Sequence, residues 1–223
     1  MQPRIAIIYF SSSGVIAQIA AYLAEGATAR GAEVRVRALE APGGSTGPGS
    51  PAPDRAPAAP PTLADLDWAD GLLIGTPTWF GNIAAPLKAF LDTTSPLALH
   101  GRLADKPVTG FTSASLPNGG QEAALLALYH TMFHWGSLIV PTGYTHPVLR
   151  RIGGNPYGLS LTAPDAGRLT DDQIEAARFV GDRIARTAER YVPAGLPSAH
   201  DLWTSQAPGD AAGALAAADS RHA

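Results

Sequence analysis

The residues best suited to chemistry sit where a short apolar run breaks into hydroxyls. Ile5 to Phe10 reads Ile-Ala-Ile-Ile-Tyr-Phe, and Ser11, Ser12, Ser13 and Gly14 follow it directly. Ile16, Ile19, Ala20, Leu23 and Ala27 then recur at the spacing of one helix face. A strand that stops in small hydroxyl residues and starts a helix suits a phosphate. The first amides of a helix have no partner within it, and the helix dipole adds positive potential there. Serine hydroxyls can donate to phosphate oxygens, and Gly14 admits a close backbone approach. No lysine follows the glycine, so this is not the Gly-Lys-Ser/Thr nucleotide loop. Nor is it the three-glycine dinucleotide fingerprint. A singly phosphorylated ligand fits better, and flavin mononucleotide (FMN) is the leading candidate. The competing reading is a serine-rich turn that only caps the helix. A serine-hydrolase nucleophile is excluded, because Ser13-Gly14 lacks the glycine two residues before the nucleophile.

Two later segments carry comparable chemistry. Thr76-Pro77-Thr78-Trp79-Phe80-Gly81-Asn82 sets two aromatics beside a glycine, offering a face for a flat ring and open amides for its edge. A reduced flavin gathers negative charge near N1 and the C2 carbonyl, where fixed donors tune its potential. Asn82 supplies both a donor and an acceptor. Thr112 to Glu122 reads Thr-Ser-Ala-Ser-Leu-Pro-Asn-Gly-Gly-Gln-Glu, small enough for backbone to lie along a ligand edge. Asn118 is also a candidate cap for the helix that follows. Each segment has a plain alternative as a loop with no ligand.

Strand and helix signals alternate along the chain, which argues for a parallel sheet covered on both faces. Strands are expected at Arg4–Tyr9, Glu33–Leu39, Gly71–Gly75, Pro107–Thr112 and Ser137–Val140. Helices are expected from Val15 to about Arg30, Leu63 to Trp68 behind a Thr62 cap, Ile83 to Leu91, Gln121 to Trp135, and from the Thr170/Gln173 capping box to Tyr191. Residues 41–61 hold seven prolines among Gly, Ser and Ala, which predicts a surface insertion. Beyond Val192 the chain is again rich in Pro, Gly and Ala, predicting a flexible tail over 192–223. The whole reads as one α/β domain, residues 1–191. Its architecture is a doubly wound five-stranded parallel sheet of the flavodoxin-like kind, in which FMN sits beyond the strand carboxyl ends.

Composition narrows the function classes. With 16 Lys+Arg against 19 Asp+Glu and no basic stretch, nucleic acid and anionic membrane are not expected partners. Cys is absent, which removes disulfides and thiolate chemistry. The histidines other than His134 show no metal spacing. No signal region and no membrane-length apolar run are evident, so a soluble cytoplasmic protein is expected.

The segments Thr76–Asn82, Gly119-Gly-Gln-Glu122, His134-Trp-Gly136, Ile139-Val-Pro-Thr-Gly-Tyr144 and Gly154-Asn-Pro-Tyr-Gly158 together resemble the WrbA-type flavodoxin-like NAD(P)H:quinone oxidoreductases. The likeness runs from about Ile5 to Tyr191. It implies that Ser11, Ser12, Ser13, Gly14, Val15 and Ile16 hold the FMN phosphate. Thr78, Trp79, Phe80, Gly81 and Asn82 would face the isoalloxazine. Ser113, Ala114, Ser115, Leu116, Pro117, Asn118 and Gly119 would line its other edge, and His134 would complete the pocket. Read without the resemblance, His134 at a helix end compensates the dipole or packs. The resemblance also implies a homotetramer, and one cavity used in turn by nicotinamide and quinone.

The chain departs from that family's pattern in a loop at 112–119 one residue longer than usual and at four positions. Val15 replaces a usual polar residue, Ser13 a frequent Tyr, Trp79 an occasional Arg, and Ala98 a frequent aromatic. Three of these fall on the substrate side. The expected activity is two-electron transfer from NAD(P)H through FMN to a quinone in a ping-pong hydride mechanism, with no protein nucleophile. Two other classes remain open at this point. One is a non-enzymatic flavodoxin-type electron carrier, and the other is a flavin-free binding or regulatory protein on the same scaffold.

Overall fold

The computed structural model describes residues 2–40, 58–163 and 167–191. Predicted insertion residues 41–57 and the predicted tail 192–223 lie outside these. Thirteen elements occur among the described residues: β1 (Arg4–Phe10), α1 (Val15–Ala29), β2 (Glu33–Leu39), α2 (Leu63–Trp68), β3 (Gly71–Pro77), α3 (Ala85–Asp92), α4 (Ser95–Leu99), β4 (Pro107–Ala114), α5 (Gln121–His134), β5 (Leu138–Ile139), α6 (Pro147–Arg151), β6 (Leu159–Thr162) and α7 (Asp171–Tyr191).

All strand pairings are parallel, in the order β2-β1-β3-β4-β5, with β6 also on β4. Nearly every residue of β1 and all of β3 is buried, as expected for strands covered on both faces. Edge strand β2 instead alternates Glu33, Arg35 and Arg37 with smaller apolar residues, and its charges discourage further pairing. One core layer lies under α1 and α7 around Ile5, Ile7, Leu73 and Phe111. The other lies under α2, α3 and α5 around Ala6, Ile8, Leu72 and Ile74. The odd and even residues of β1 thus feed opposite layers, the period of two that a sheet imposes.

The flavodoxin-like class holds, with one refinement at the fifth position. β5 pairs with Pro107 and Val108 at the start of β4, while β6 pairs with Phe111 to Ala114 at its end. The fifth strand is therefore interrupted by residues 140–158, an excursion that carries α6. The sequence expectation found the first half at Ser137–Val140 and missed the second. Thr62 caps α2 as expected: its hydroxyl accepts from the Asp65 amide at 3.3 Å, and the Asp65 carboxylate accepts from the Thr62 amide at 3.0 Å. Burial pushes the Asp65 carboxyl up, but bonds from Arg37 and Thr62 outweigh it and hold it below the usual range. Where the chain returns from the insertion, the Ala59 carbonyl accepts from the Ala38 amide at 3.1 Å, so this part of 41–61 lies along β2.

Candidate functional site

Parallel strands place all their carboxyl ends at one rim. The segments that follow β1, β3 and β4 therefore meet, although they are far apart in sequence. At the first, Gly14 occupies the N-cap of α1 with φ 87°. The Ser11 hydroxyl oxygen accepts from the amides of Gly14 at 3.2 Å and Ala17 at 3.4 Å. Ser11 thus does cap the helix, as the competing reading required, but that uses few of the available donors. The amides of Ser12, Ser13, Val15 and Ile16 have no acceptor among the described residues. Four amides left without an acceptor at a helix start can serve as an anion cradle. The side chains of Val15 and Ile16 are buried in the core under α1. Only their amides could meet a ligand, so a nonpolar side chain at position 15 leaves the cradle's backbone donors in place.

The second segment is a tight turn. Trp79 and Asn82 exchange backbone bonds of 3.0 and 2.9 Å, and the central pair has φ 51° at Phe80 and 71° at Gly81. This presents the Phe80 ring wholly to solvent and leaves the Phe80 and Gly81 amides without an acceptor among the described residues. Trp79 is held edge-on against Phe10, the last residue of β1, with ring centroids 5.7 Å apart. It therefore stands beside the phosphate segment as part of the wall. The Asn82 side-chain oxygen is taken by the Ile83 amide at 2.8 Å, which leaves its amide nitrogen as the group able to reach outward.

Beneath this turn Thr78 joins two threonines, Thr76 and Thr112, that the sequence did not single out as functional. The Thr112 hydroxyl, wholly buried, donates to the Thr76 carbonyl at 2.7 Å. It also meets the Thr78 hydroxyl at 2.7 Å. Its one proton being used, Thr112 must accept there, so Thr78 donates inward. The Thr78 amide also points inward, to the Ser113 carbonyl at 2.8 Å. Thr78 therefore offers a ligand acceptor lone pairs, and the outward donors come from Phe80, Gly81 and Asn82. Thr76 and Thr112 lie in strands, where threonine reads as an ordinary strand former, and no sequence signal set these two apart.

The third segment follows β4. Ser113 is buried, whereas Ser115, Leu116, Pro117 and Asn118 are exposed. Gly119 bonds back to the Leu116 carbonyl at 3.1 Å, and the Gln121 side chain donates to the same oxygen at 2.8 Å. The expected Asn118 cap is not formed. Gly120, two residues beyond Asn118, is instead the N-cap of α5 at φ 90°, with no side-chain bond. A methyl group on Gly120 would fall 2.8 Å from the Gly81 Cα. The second and third segments are thus in contact, and a side chain at Gly120 would force them apart.

His134 does not join this rim within the chain. It is exposed at the last position of α5, whose fourteen residues span about 20 Å from the loop at Gly120. Ala98 shares the opposite end, on α4, where the Trp135 indole donates to the neighbouring Thr94 hydroxyl at 3.0 Å. Both positions singled out beyond the three loops therefore face away from them.

An open parallel sheet with an amide-rich cradle after its first strand defines a flavodoxin-like protein. Solved structures share the fold: the WrbA-like flavodoxin protein of Agrobacterium tumefaciens superposes with a TM-score of 0.63 at 23% identity, over 85% of this chain and 99% of that one. A flavodoxin from the domain Archaea gives a TM-score of 0.58 at 18% identity, over 83% and 99%. The family model for NADPH-dependent FMN reductase matches residues 3–146. The NAD(P)H dehydrogenase (quinone) of Deinococcus radiodurans is 37% identical over 198 residues, 83% of this chain and 96% of its own length. That of Azorhizobium caulinodans is 34% identical over 200 residues, covering 84% and 98%. The chain belongs to the NADPH-dependent FMN reductase family, in keeping with the resemblance carried by its motifs.

Proposed function

We propose that this protein is an FMN-dependent NAD(P)H:quinone oxidoreductase. The observation that carries the reading is the convergence of the amide cradle at Ser12–Ile16, the exposed turn at Thr78–Asn82 and the loop at Ser113–Gly119 on one rim. Membership of the family, and the activity named for relatives that match most of the chain, support it. FMN, when bound, would accept two electrons as hydride from NAD(P)H and pass them to a quinone.

The chain's own groups do the rest. The amides of Ser12, Ser13, Val15 and Ile16, with the serine hydroxyls, hold the phosphate. Phe80 and Gly81 present amides, and Asn82 its side-chain nitrogen, to the negatively charged edge of the ring. The threonine chain below keeps the turn from relaxing, so these donors need not reorganise as charge develops. None of the three segments contains an Asp or Glu, so no carboxylate in them opposes the phosphate. An electron carrier that docks by charge would use a dense acidic face, and none borders the rim in these segments.

On this reading donor and acceptor occupy one cavity in turn. The protein works in the cytoplasm, where NAD(P)H is supplied, as a homotetramer. Because His134 and Ala98 stand at the far end of their own subunit, they would meet a flavin only from a neighbouring copy. Steady-state rates with NADH or NADPH and a soluble benzoquinone test the scheme. Double-reciprocal lines at several quinone concentrations should be parallel. Intersecting lines would contradict the alternating use of one cavity, and no turnover with either donor would contradict the activity itself.

A further inference from the structure

We propose that a groove between the end of α7 and residues 139–141 binds a small phosphoryl anion, at a site distinct from the three loops. The groove has a volume of about 670 Å3, with Ile139, Val140 and Pro141 on one side and Arg183, Arg186 and Arg190 on the other. These arginines recur at three and four residues along α7 and so share one face. β5, which leads into the groove, pairs with the first residues of β4. The groove therefore lies at the amino end of the sheet, away from the phosphate cradle.

Among the described residues its charge is uncompensated: no carboxylate of these lines it, and the nearby acids of α7 are engaged elsewhere, with Asp182 and Glu189 lying 3.6 and 3.5 Å from Arg30 at the end of α1. Among the described residues none of the three arginines forms an ion pair. Among these residues the Arg183 guanidinium reaches only the Pro141 carbonyl, at 3.4 Å, and its buried Nε has no acceptor. Burial, and then the positive charges of Arg186 and Arg190, push the Arg183 guanidinium below its ordinary range. A buried donor without an acceptor, crowded by like charge, is the arrangement an anion relieves on both counts. Guanidinium groups match phosphoryl oxygens through paired parallel bonds, which selects a phosphate or diphosphate over a lone halide.

Calorimetric titration of the FMN-saturated full chain with sodium diphosphate tests this, because FMN keeps the phosphate cradle filled. At about 0.1 M ionic strength, where long-range attraction is screened, one site per chain with submillimolar affinity is expected. Affinity should fall about tenfold or more in Arg183→Gln and in Arg190→Gln. It should hold in Lys88→Gln, which removes an exposed cation of α3 paired with Asp92. Arg190 is exposed, so its replacement should not disturb folding. A parallel titration with ADP separates the sources. Tighter, Arg190-dependent binding of ADP identifies a nucleotide, and equal binding identifies the free anion. Absence of diphosphate binding, or undiminished binding in both arginine variants, overturns the proposal.

Discussion

Phe80 is a residue the fold alone does not explain. Its ring is fully exposed and its backbone is held at φ 51°. A left-handed conformation costs a residue with a side chain about 1–2 kcal/mol, and an exposed ring recovers none of that through burial. Such strain at a rim points to use by a ligand. Phe80→Gly should therefore leave stability to urea within about 1 kcal/mol of wild type, while FMN affinity falls about tenfold through the lost ring contact. Denaturation and flavin titration on one preparation separate the two effects. How legible each site residue was depended on its chemistry. Ser11 to Gly14 could be read because hydroxyls and a glycine after an apolar run have few other uses. Thr76 and Thr112 could not, since their role depends on which strand lies beside which. Asn118 had the right residue type for a cap, but Gly120 takes that position at a φ the sequence does not announce.

At the scale of elements, α5 is pinned by Tyr129. Its hydroxyl accepts from the Gly110 amide at 3.0 Å on β4 and donates to the Tyr157 carbonyl at 2.7 Å. One side chain thus ties the helix to the central sheet and to the excursion before β6. Burial pushes its phenol up to about 12. A phenol whose folded pKa is raised contributes stability that is fully present below its unfolded value near 10 and is lost as pH climbs toward 12. Tyr129→Phe should cost about 1–3 kcal/mol at pH 8, because the Gly110 amide loses its acceptor. The deficit relative to wild type should shrink at pH 11, as measured by chemical denaturation. A constant deficit would mean that the phenol is not held neutral by burial. Most elements were readable, because α1 and α7 carry a long helical period and β1 and β3 are unbroken apolar runs bounded by turn residues. β6 was not, since four residues leave no period to detect and its place depends on pairing with Phe111 to Ala114.

For the molecule as a whole, the direction of the sheet matters most. It gathers three distant loops at one rim and sends His134 and Ala98 to the other, a separation that chain order does not reveal. If the pocket is completed between copies, two defective chains should repair each other. Oligomers assembled from Gly14→Asp chains, which keep His134, and His134→Ala chains, which keep the cradle, should turn over faster than either alone. Purely additive rates would mean that His134 acts within its own subunit or not at all. The central claim is that the amides beginning α1 hold a phosphate. A carboxylate placed about 4 Å from it at Gly14 should oppose binding by roughly 4 kcal/mol at an effective dielectric near 20. Fluorescence titration of FMN should show one-to-one quenching by the wild-type chain and none by Gly14→Asp; equal quenching by both, or by neither, would contradict the account.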